Sequence, residues 1–225
     1  MTEKVPTARI ALISATASAI PPAEEALARE YPTAETWNLV DDRLLTDAND
    51  RGGVDAELRE RMERLIAYAA DSGASGILLT CSMYGSIATA TRLPIPVLAP
   101  DEAAIDELLA AKYRKVLVVA SLETALTDSV SRLRSAFESA GVATVVTGTF
   151  APDAMAATRS GDLIALAESL VDAARESLDD ADAVFLAQYT LAPAGPALAR
   201  AFGLPVISGP ASSAIRLRHS ITSQG

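Results

Sequence analysis

The stretch Ala74-Ser-Gly-Ile-Leu-Leu-Thr-Cys81 predicts a short buried strand with the only cysteine of the chain at its carboxyl end. A short apolar run bounded by small and polar residues is typical of a strand covered on both faces of a parallel sheet. The same pattern returns 107 residues later as Ala181-Asp-Ala-Val-Phe-Leu-Ala-Gln188. The second copy therefore has an amide side chain where the first has a thiol.

Two further strand sequences repeat in the same order along the chain. Arg9-Ile-Ala-Leu-Ile-Ser14 matches Lys115-Val-Leu-Val-Val-Ala120, and Ile95-Pro-Val-Leu98 matches Leu204-Pro-Val-Ile207. These pairs are separated by 106 and 109 residues, close to the spacing of the first pair. Buried strands resemble one another, so a single match would carry little weight. Three matches in one order indicate an internal duplication.

Stretches of helical period separate the strands, which is typical of parallel α/β architecture. We predict an α/β fold with two pseudo-symmetric halves, each a roughly four-stranded, mainly parallel sheet flanked by helices. The halves are residues 1–106, with the last helix running to about residue 113, and residues 107–225. Thr36–Val40 and Val142–Thr147 are the other predicted strands. The polar segment Asp41–Gly53 is predicted to be a long loop, either a lid or a solvated connection.

The charge of the chain argues against two classes of partner. The net charge is −10 over 225 residues and the isoelectric point is about 4.6. Binding to nucleic acid or to an anionic membrane surface needs clustered Lys and Arg, so we expect neither partner. The apolar run Ile10–Ile13 is too short for a signal-peptide core or a membrane span. We therefore predict a cytoplasmic protein.

One cysteine and one histidine, His219, leave few ways to build a metal or nucleophilic site. A lone cysteine cannot form an internal disulfide or a thiolate-rich metal site, and a catalytic triad would have to recruit His219 from near the C-terminus. The glycines at 73 and 76 form no phosphate-binding pattern. We expect no bound metal and no cofactor.

Cys81 and Gln188 are the first candidate site residues because ligands of open parallel sheets bind beyond the carboxyl ends of the strands. If the halves face each other about a pseudo-two-fold axis, the two residues approach one cleft from opposite sides. Residues 82–85 lead into a predicted helix, whose first N–H groups can lower the pKa of a thiol and hold an anion. The alternative is an inert buried thiol.

The strand-end motif Thr80-Cys81-Ser82, the duplicated halves and the repeated Leu/Ile-Pro-Val strands resemble the aspartate/glutamate racemase superfamily. That superfamily includes hydantoin racemases, maleate isomerases and arylmalonate decarboxylases, and the resemblance covers roughly residues 9–217. It implies cofactor-independent proton transfer next to the carboxylate of a small acid, and it implies a homo-oligomer. In the racemases two cysteines flank the reacting carbon, one removing a proton and the other delivering one.

The resemblance also implies which hydroxyl groups bind the substrate carboxylate. The matching candidates follow strand ends, and each is also a candidate helix cap; they are Ser14, Thr16, Ser82, Ser121, Thr124 and Thr190.

The departure from the family pattern is at Gln188, which occupies the position of the second cysteine. Glutamine does not exchange a proton at physiological pH, which excludes symmetric racemisation by two thiols.

Three interpretations of the function stay open. In the favoured one Cys81 alone performs isomerase-type or racemase-like chemistry on a small dicarboxylate or oxo acid, while Gln188 orients a substrate oxygen and Tyr189 is the opposite proton donor. Alternatively Cys81 protonates the carbanion left by decarboxylation, although arylmalonate decarboxylases carry their one thiol in the second half. The third is a non-catalytic protein that binds a small carboxylate.

Overall fold

The computed structural model describes residues 7–223, and its strands form two four-stranded sheets in which every pair of neighbours is parallel. The chain divides into two compact units. The first unit runs to Pro100 and also includes the chain from Ser213, and the second unit is Asp101–Ser212.

The first unit has the sheet order β2-β1-β3-β4. Its elements are β1 (Arg9–Ser14), α1 (Ile20–Glu30), β2 (Glu35–Val40), α2 (Leu44–Asp50), α3 (Ala56–Asp71), β3 (Gly76–Leu79), α4 (Gly85–Ala90) and β4 (Val97–Leu98).

The second unit repeats this topology with the order β6-β5-β7-β8. Its elements are α5 (Glu102–Ala111), β5 (Lys115–Ala120), α6 (Glu123–Ser139), β6 (Val145–Phe150), α7 (Asp153–Ser160), α8 (Leu163–Ser177), β7 (Ala183–Leu186), α9 (Gly195–Phe202) and β8 (Val206–Ser208). The last helix, α10 (Gly209–Thr222), begins in the second unit and ends in the first. The repeated strand order confirms the predicted α/β fold with two similar halves.

Helix α3 shows how a helical period builds the core of the first unit. Its buried residues Leu58, Met62 and Ile66 recur every four positions and pack against the strand residues Ile13 and Leu79 in one apolar cluster. Residues four apart lie on the same face of a helix, so this spacing buries one stripe of α3. The two inner strands, β1 and β3, are covered on both sides, which is why their sequences are almost continuously apolar.

Three segments differ from the sequence-based expectations. The segment 41–53 contains α2, whose Leu44 and Ala48 are buried, so most of it is a packed helix rather than a loop. Strand β6 begins at Val145 instead of Val142, because its register is set by pairing Lys115 with Val145 on the neighbouring β5. Two helices, α7 and α8, lie between β6 and β7, where the alternation of strands and helical stretches predicts one.

The observed units also differ from the predicted halves 1–106 and 107–225 in two segments. Leu108 of α5 packs in the same apolar cluster as Val116 and Val118 of β5, which places α5 with the second sheet. The end of α10 packs on the first sheet, where Leu217 lies against Gly76 of β3.

Among residues 7–223, no helix combines the length and the apolar composition that crossing a membrane requires.

Candidate functional site

The carboxyl ends of β1 and β3 bring two buried hydroxyl groups together in the first unit. The strands are neighbours in a register that pairs Ile13 with Leu79, so Ser14 and Thr80 follow side by side. Thr80 Oγ1 donates a hydrogen bond to Ser14 Oγ at 2.9 Å, and the two residues are 5% and 0% exposed. Burying two hydroxyls is tolerated because each is the partner of the other. This pair adjoins Cys81 along the chain.

Cys81 lies two residues beyond the end of β3 and keeps an extended conformation, with φ −122° and ψ 120°. The chain then forms a short 3-10 turn, Ser82–Tyr84, in which the Tyr84 N–H donates to the Cys81 carbonyl oxygen at 3.2 Å. Cys81 and Ser82 are half-buried, and Cys81 packs against the apolar cluster of the first unit. The thiol therefore lies at the strand end, as predicted, partly covered by apolar side chains.

Tyr84 connects the Cys81 turn to helix α2. Its side chain is fully buried, and its hydroxyl donates to the carbonyl oxygen of Leu44 at 2.8 Å. Burial raises the pKa of Tyr84 to about 12, with a further contribution from the negative charge of nearby Cys81. The hydroxyl therefore stays protonated and works as a structural donor.

An ion-pair cluster fixes the segment that carries α2. The guanidinium of Arg61 on α3 donates to both carboxylate oxygens of Asp41 and, at 2.9 Å, to Asp47 of α2. Arg43 also donates to Asp47 at 2.7 Å. Burial opposes ionisation of Asp47, yet the hydrogen bonds from Arg61 and Arg43 hold the pKa of that carboxyl below its usual range. The segment predicted as a candidate lid is thus held in place at Asp41 and Asp47.

In the second unit the matching strand ends hold Ser121 and Gln188. Strands β5 and β7 are neighbours, so Ser121 and Gln188 meet just beyond them. The Ser121 N–H donates to Gln188 Oε1 at 2.7 Å, and the Ser121 hydroxyl approaches the same oxygen at 3.2 Å. Ser121 is buried and Gln188 is half-buried. The position that resembles that of a second cysteine is therefore occupied by an amide with a fixed orientation.

The remaining predicted residues are less closely associated with these strand ends. Tyr189 is buried and Thr190 half-buried in the 3-10 turn Tyr189–Ala194. Thr124 is exposed on the second residue of α6. Thr16 is half-buried, and its hydroxyl lies 2.9 Å from that of Ser18. Ser14 adjoins the Cys81 position, and Ser121 adjoins Gln188. A single cleft containing both strand ends stays a prediction.

Sequence reasoning missed the partner groups that surround these candidates. Thr80 was part of the strand-end motif, but its bond to Ser14 depends on the pairing of β1 with β3. Tyr84 lies three residues after Cys81, and its full burial was the feature that the sequence did not reveal. Arg61 lies on the polar part of an amphipathic helix, where an arginine is ordinarily solvated.

Metal ligands are not grouped in the part of the chain that the structure describes. Within residues 7–223, no three His, Cys, Asp or Glu side chains are arranged to hold a metal ion. The polar groups at the strand ends are a thiol, hydroxyls and an amide, which suit the binding and deprotonation of an organic acid.

The fold of this chain is similar to the folds of several solved structures. The chain resembles aspartate racemase from Picrophilus torridus with a TM-score of 0.75 and 12% identity, over 96% of this chain and 94% of that one. It resembles allantoin racemase from Klebsiella pneumoniae with a TM-score of 0.72 and 18% identity, over 96% and 89% of the two chains. It resembles arylmalonate decarboxylase with a TM-score of 0.65 and 18% identity, over 97% of this chain and 94% of that one. At these identities the likeness shows the fold.

The sequence then identifies the family. The Asp/Glu/hydantoin racemase family model matches residues 13–215. The chain belongs to the Asp/Glu/hydantoin racemase family. No curated protein sequence matches it.

Proposed function

We propose that this protein is a cofactor-independent racemase-like or isomerase-like enzyme that acts next to the carboxylate of a small acid through one cysteine, Cys81. The observation that carries the proposal is the half-buried Cys81 at the carboxyl end of β3, beside the buried hydroxyl pair of Ser14 and Thr80. Membership of the family supports the reaction class. The resemblance to the racemases implies proton transfer without a cofactor.

The proposed step is a proton transfer. The Cys81 thiolate takes the proton from the carbon next to the carboxylate, which leaves a neutral thiol and an enolate-like carbanion. The carbanion then regains a proton, either from Cys81, which restores the thiolate, or on the other face from Tyr189 or water. In the second case Cys81 gives its proton to solvent and the donor takes one back from solvent before the next turnover. Hydroxyl groups at the strand ends, including Ser14 and Ser82, stabilise the charge on the carboxylate oxygens as it develops. Thiol addition to an unsaturated acid is the corresponding isomerase reaction.

A decarboxylase is the second candidate, because the chain holds one thiol and its fold resembles that of arylmalonate decarboxylase. In that reaction the carbon–carboxylate bond breaks, carbon dioxide leaves, and Cys81 protonates the carbanion. The product has lost one carboxylate, which separates this candidate from isomerisation. A cytoplasmic location, a small-acid partner and a homo-oligomeric state also stay predictions.

Proton NMR in deuterated buffer tests the proposal. Wild type, Cys81→Ala and Cys81→Ser are incubated with a panel of malonates, maleate, 2-oxo acids and hydantoins, and their melting temperatures verify that all three proteins are folded. We expect wild type to exchange a proton of at least one acid for deuterium, or to isomerise that acid. The same reaction should be about 10²- to 10⁴-fold slower in both variants. Equal rates in all three proteins would rule out the cysteine mechanism. Carbon dioxide release would favour the decarboxylase, and binding without turnover would favour a carboxylate-binding protein.

Alkylation gives an independent readout because the chain has one thiol. The rate of iodoacetamide modification, followed by mass spectrometry, is compared with that of the same protein unfolded in urea. We expect the folded protein to react faster at neutral pH and to be protected by the acid that it turns over. A folded thiol that reacts more slowly than the unfolded one, with or without ligand, contradicts the proposal.

A further inference from the structure

The amide of Gln188 has an orientation that its hydrogen bonds determine. A backbone N–H can only donate, so the atom 2.7 Å from the Ser121 nitrogen must be the amide oxygen. The Ser121 hydroxyl lies 3.2 Å from the same oxygen and supplies a second donor. Both bonds are made to one end of the amide. The carbonyl oxygen of Gln188 is therefore occupied by protein donors.

The other end of the amide carries two N–H donors and has a different environment. Among residues 7–223, Gln188 Nε2 donates no hydrogen bond to a side chain or to a backbone carbonyl, and Gln188 makes no side-chain cap to the 3-10 turn that follows it. The residue is half-buried rather than enclosed. The end of β7 thus presents fixed N–H donors.

The polarity of this group determines what it can bind. An oxygen of a carboxylate or a ketone accepts from an amide N–H, whereas an ammonium group has only donors and meets no acceptor there. A thiolate at the same position would carry a negative charge and accept a proton. Gln188 is neutral there and donates hydrogen bonds instead.

We propose that Gln188 is a specificity-determining residue whose Nε2 binds a carboxylate or keto oxygen of the substrate, and that it selects dicarboxylic and oxo acids over the corresponding amino acids. The inference rests on the proposed function and names the substrate class of that site. Ser121 is the positioning residue, because its two donors hold the amide with Nε2 outward.

Matched acids and two variants test the selection. Succinate and aspartate differ by one ammonium group, as do malonate and aminomalonate, and affinities are measured by calorimetry. We expect wild type to bind the plain acids at least tenfold more tightly than their amino counterparts. Gln188→Met keeps the side-chain length without a donor and should weaken the plain acids about tenfold, with little effect on the amino acids.

Gln188→Glu gives the sharper result because one of its carboxylate oxygens can keep both bonds to Ser121. The other oxygen then presents a negatively charged acceptor in place of the N–H donors. We expect the preference to reverse, so that aspartate binds more tightly than succinate. A residue with only a structural role would change both affinities together. Melting temperatures close to that of wild type verify that both variants fold.

The outcomes separate this inference from the proposed function. Unchanged ratios in both variants, or no binding of any of the four acids by wild type at millimolar concentration, overturn the inference. If the ratios change as expected but no acid shows Cys81-dependent deuterium uptake, the inference stands and the enzyme proposal fails. If turnover depends on Cys81 while Gln188→Met leaves KM and the ratios unchanged, the enzyme proposal stands and the role of Gln188 fails.

Discussion

Replacing Tyr84 by Phe removes one buried hydroxyl and leaves the ring in place. The hydroxyl donates to the Leu44 carbonyl oxygen at 2.8 Å, and the side chain has no solvent exposure. A buried hydrogen bond of this kind contributes about 1 kcal/mol net, and leaving a buried acceptor without its donor adds to the loss. We expect the free energy of unfolding to fall by about 1–2 kcal/mol in Tyr84→Phe.

The pH dependence of the free energy of unfolding provides a second test of the role of Tyr84. The pKa of Tyr84 is raised from 10.0 to about 12 in the folded protein. The phenol is neutral below its pKa, so its contribution is complete below pH 10 and is lost as the pH rises to about 12. In that interval the free energy of unfolding of wild type falls by ~1.4 kcal/mol per pH unit relative to Tyr84→Phe. The two proteins therefore converge in stability as the pH rises from 10 toward 12.

Urea unfolding followed by the fluorescence of Trp37, the only tryptophan, reports on the first unit. The matched control is Tyr68→Phe, because Tyr68 is 57% exposed and keeps its ring contact with Trp37 after the change. We expect the control to differ from wild type by less than about 0.5 kcal/mol. Equal losses in the two variants, or a Tyr84→Phe difference that stays constant from pH 8 to pH 12, would refute the assigned role of the hydroxyl.

Three further changes have outcomes that the structure determines. Gly76→Ala should destabilise the first unit by about 1–3 kcal/mol, since a Cβ there would lie 3.0 Å from Leu217 Cδ2. Gly195→Ala should be neutral or stabilising, because the nearest atom to its Cβ would be 3.7 Å away. Urea unfolding of the two variants tests the difference. Asp162→Ala removes the N-cap of α8 and should cost about 1 kcal/mol, whereas the exposed Asp172→Ala should cost less than about 0.5. Asp47→Asn should be less stable than wild type at pH 7 but equal to it in strong acid, because a carboxyl with a lowered pKa stabilises the fold only above that pKa, and thermal melts from pH 7 to pH 2 check this.

The inner strands could be predicted because buried parallel strands are recognisable from local composition. The inner strands β1, β3, β5 and β7 are apolar almost throughout, and each was predicted within two residues of its observed bounds. Strand β6 is an edge strand with alternating exposure and contains Gly148, so its start could not be read from composition. Its bounds follow from the register with β5, which is a tertiary property.

Helix α2 was missed for a related reason. Its sequence, Leu-Leu-Thr-Asp-Ala-Asn-Asp, is short and polar, and a seven-residue helix in water is unstable by itself. Burial of Leu44 and Ala48, the Arg61 ion pairs and the Tyr84 hydroxyl together compensate for the unfavourable nucleation. These contacts join residues 14 to 40 positions apart, so no local pattern could indicate them.

The positions of Cys81 and Gln188 at strand ends followed from the repeat, but the state of Gln188 did not. Its orientation depends on Ser121, which is 67 residues away in sequence and adjacent only because β5 and β7 pair. In isolation a glutamine can turn either end of its amide toward a ligand, and the sequence therefore left both polarities open.

The two strand ends differ in chemistry although the topology of the two units is the same. The thiol of Cys81 can gain or lose a proton, while the amide of Gln188 can only donate hydrogen bonds, because its oxygen is already bound by Ser121. A duplicated scaffold thus carries one proton-exchanging group instead of two. Without a thiol at the second position the strand ends cannot exchange protons symmetrically, and in the proposed role the oriented N–H donors of Gln188 bind an oxygen acceptor. In the proposed function, Cys81 performs the deprotonation of racemase chemistry and Gln188 serves recognition, an arrangement that favours reactions in which one proton transfer is enough.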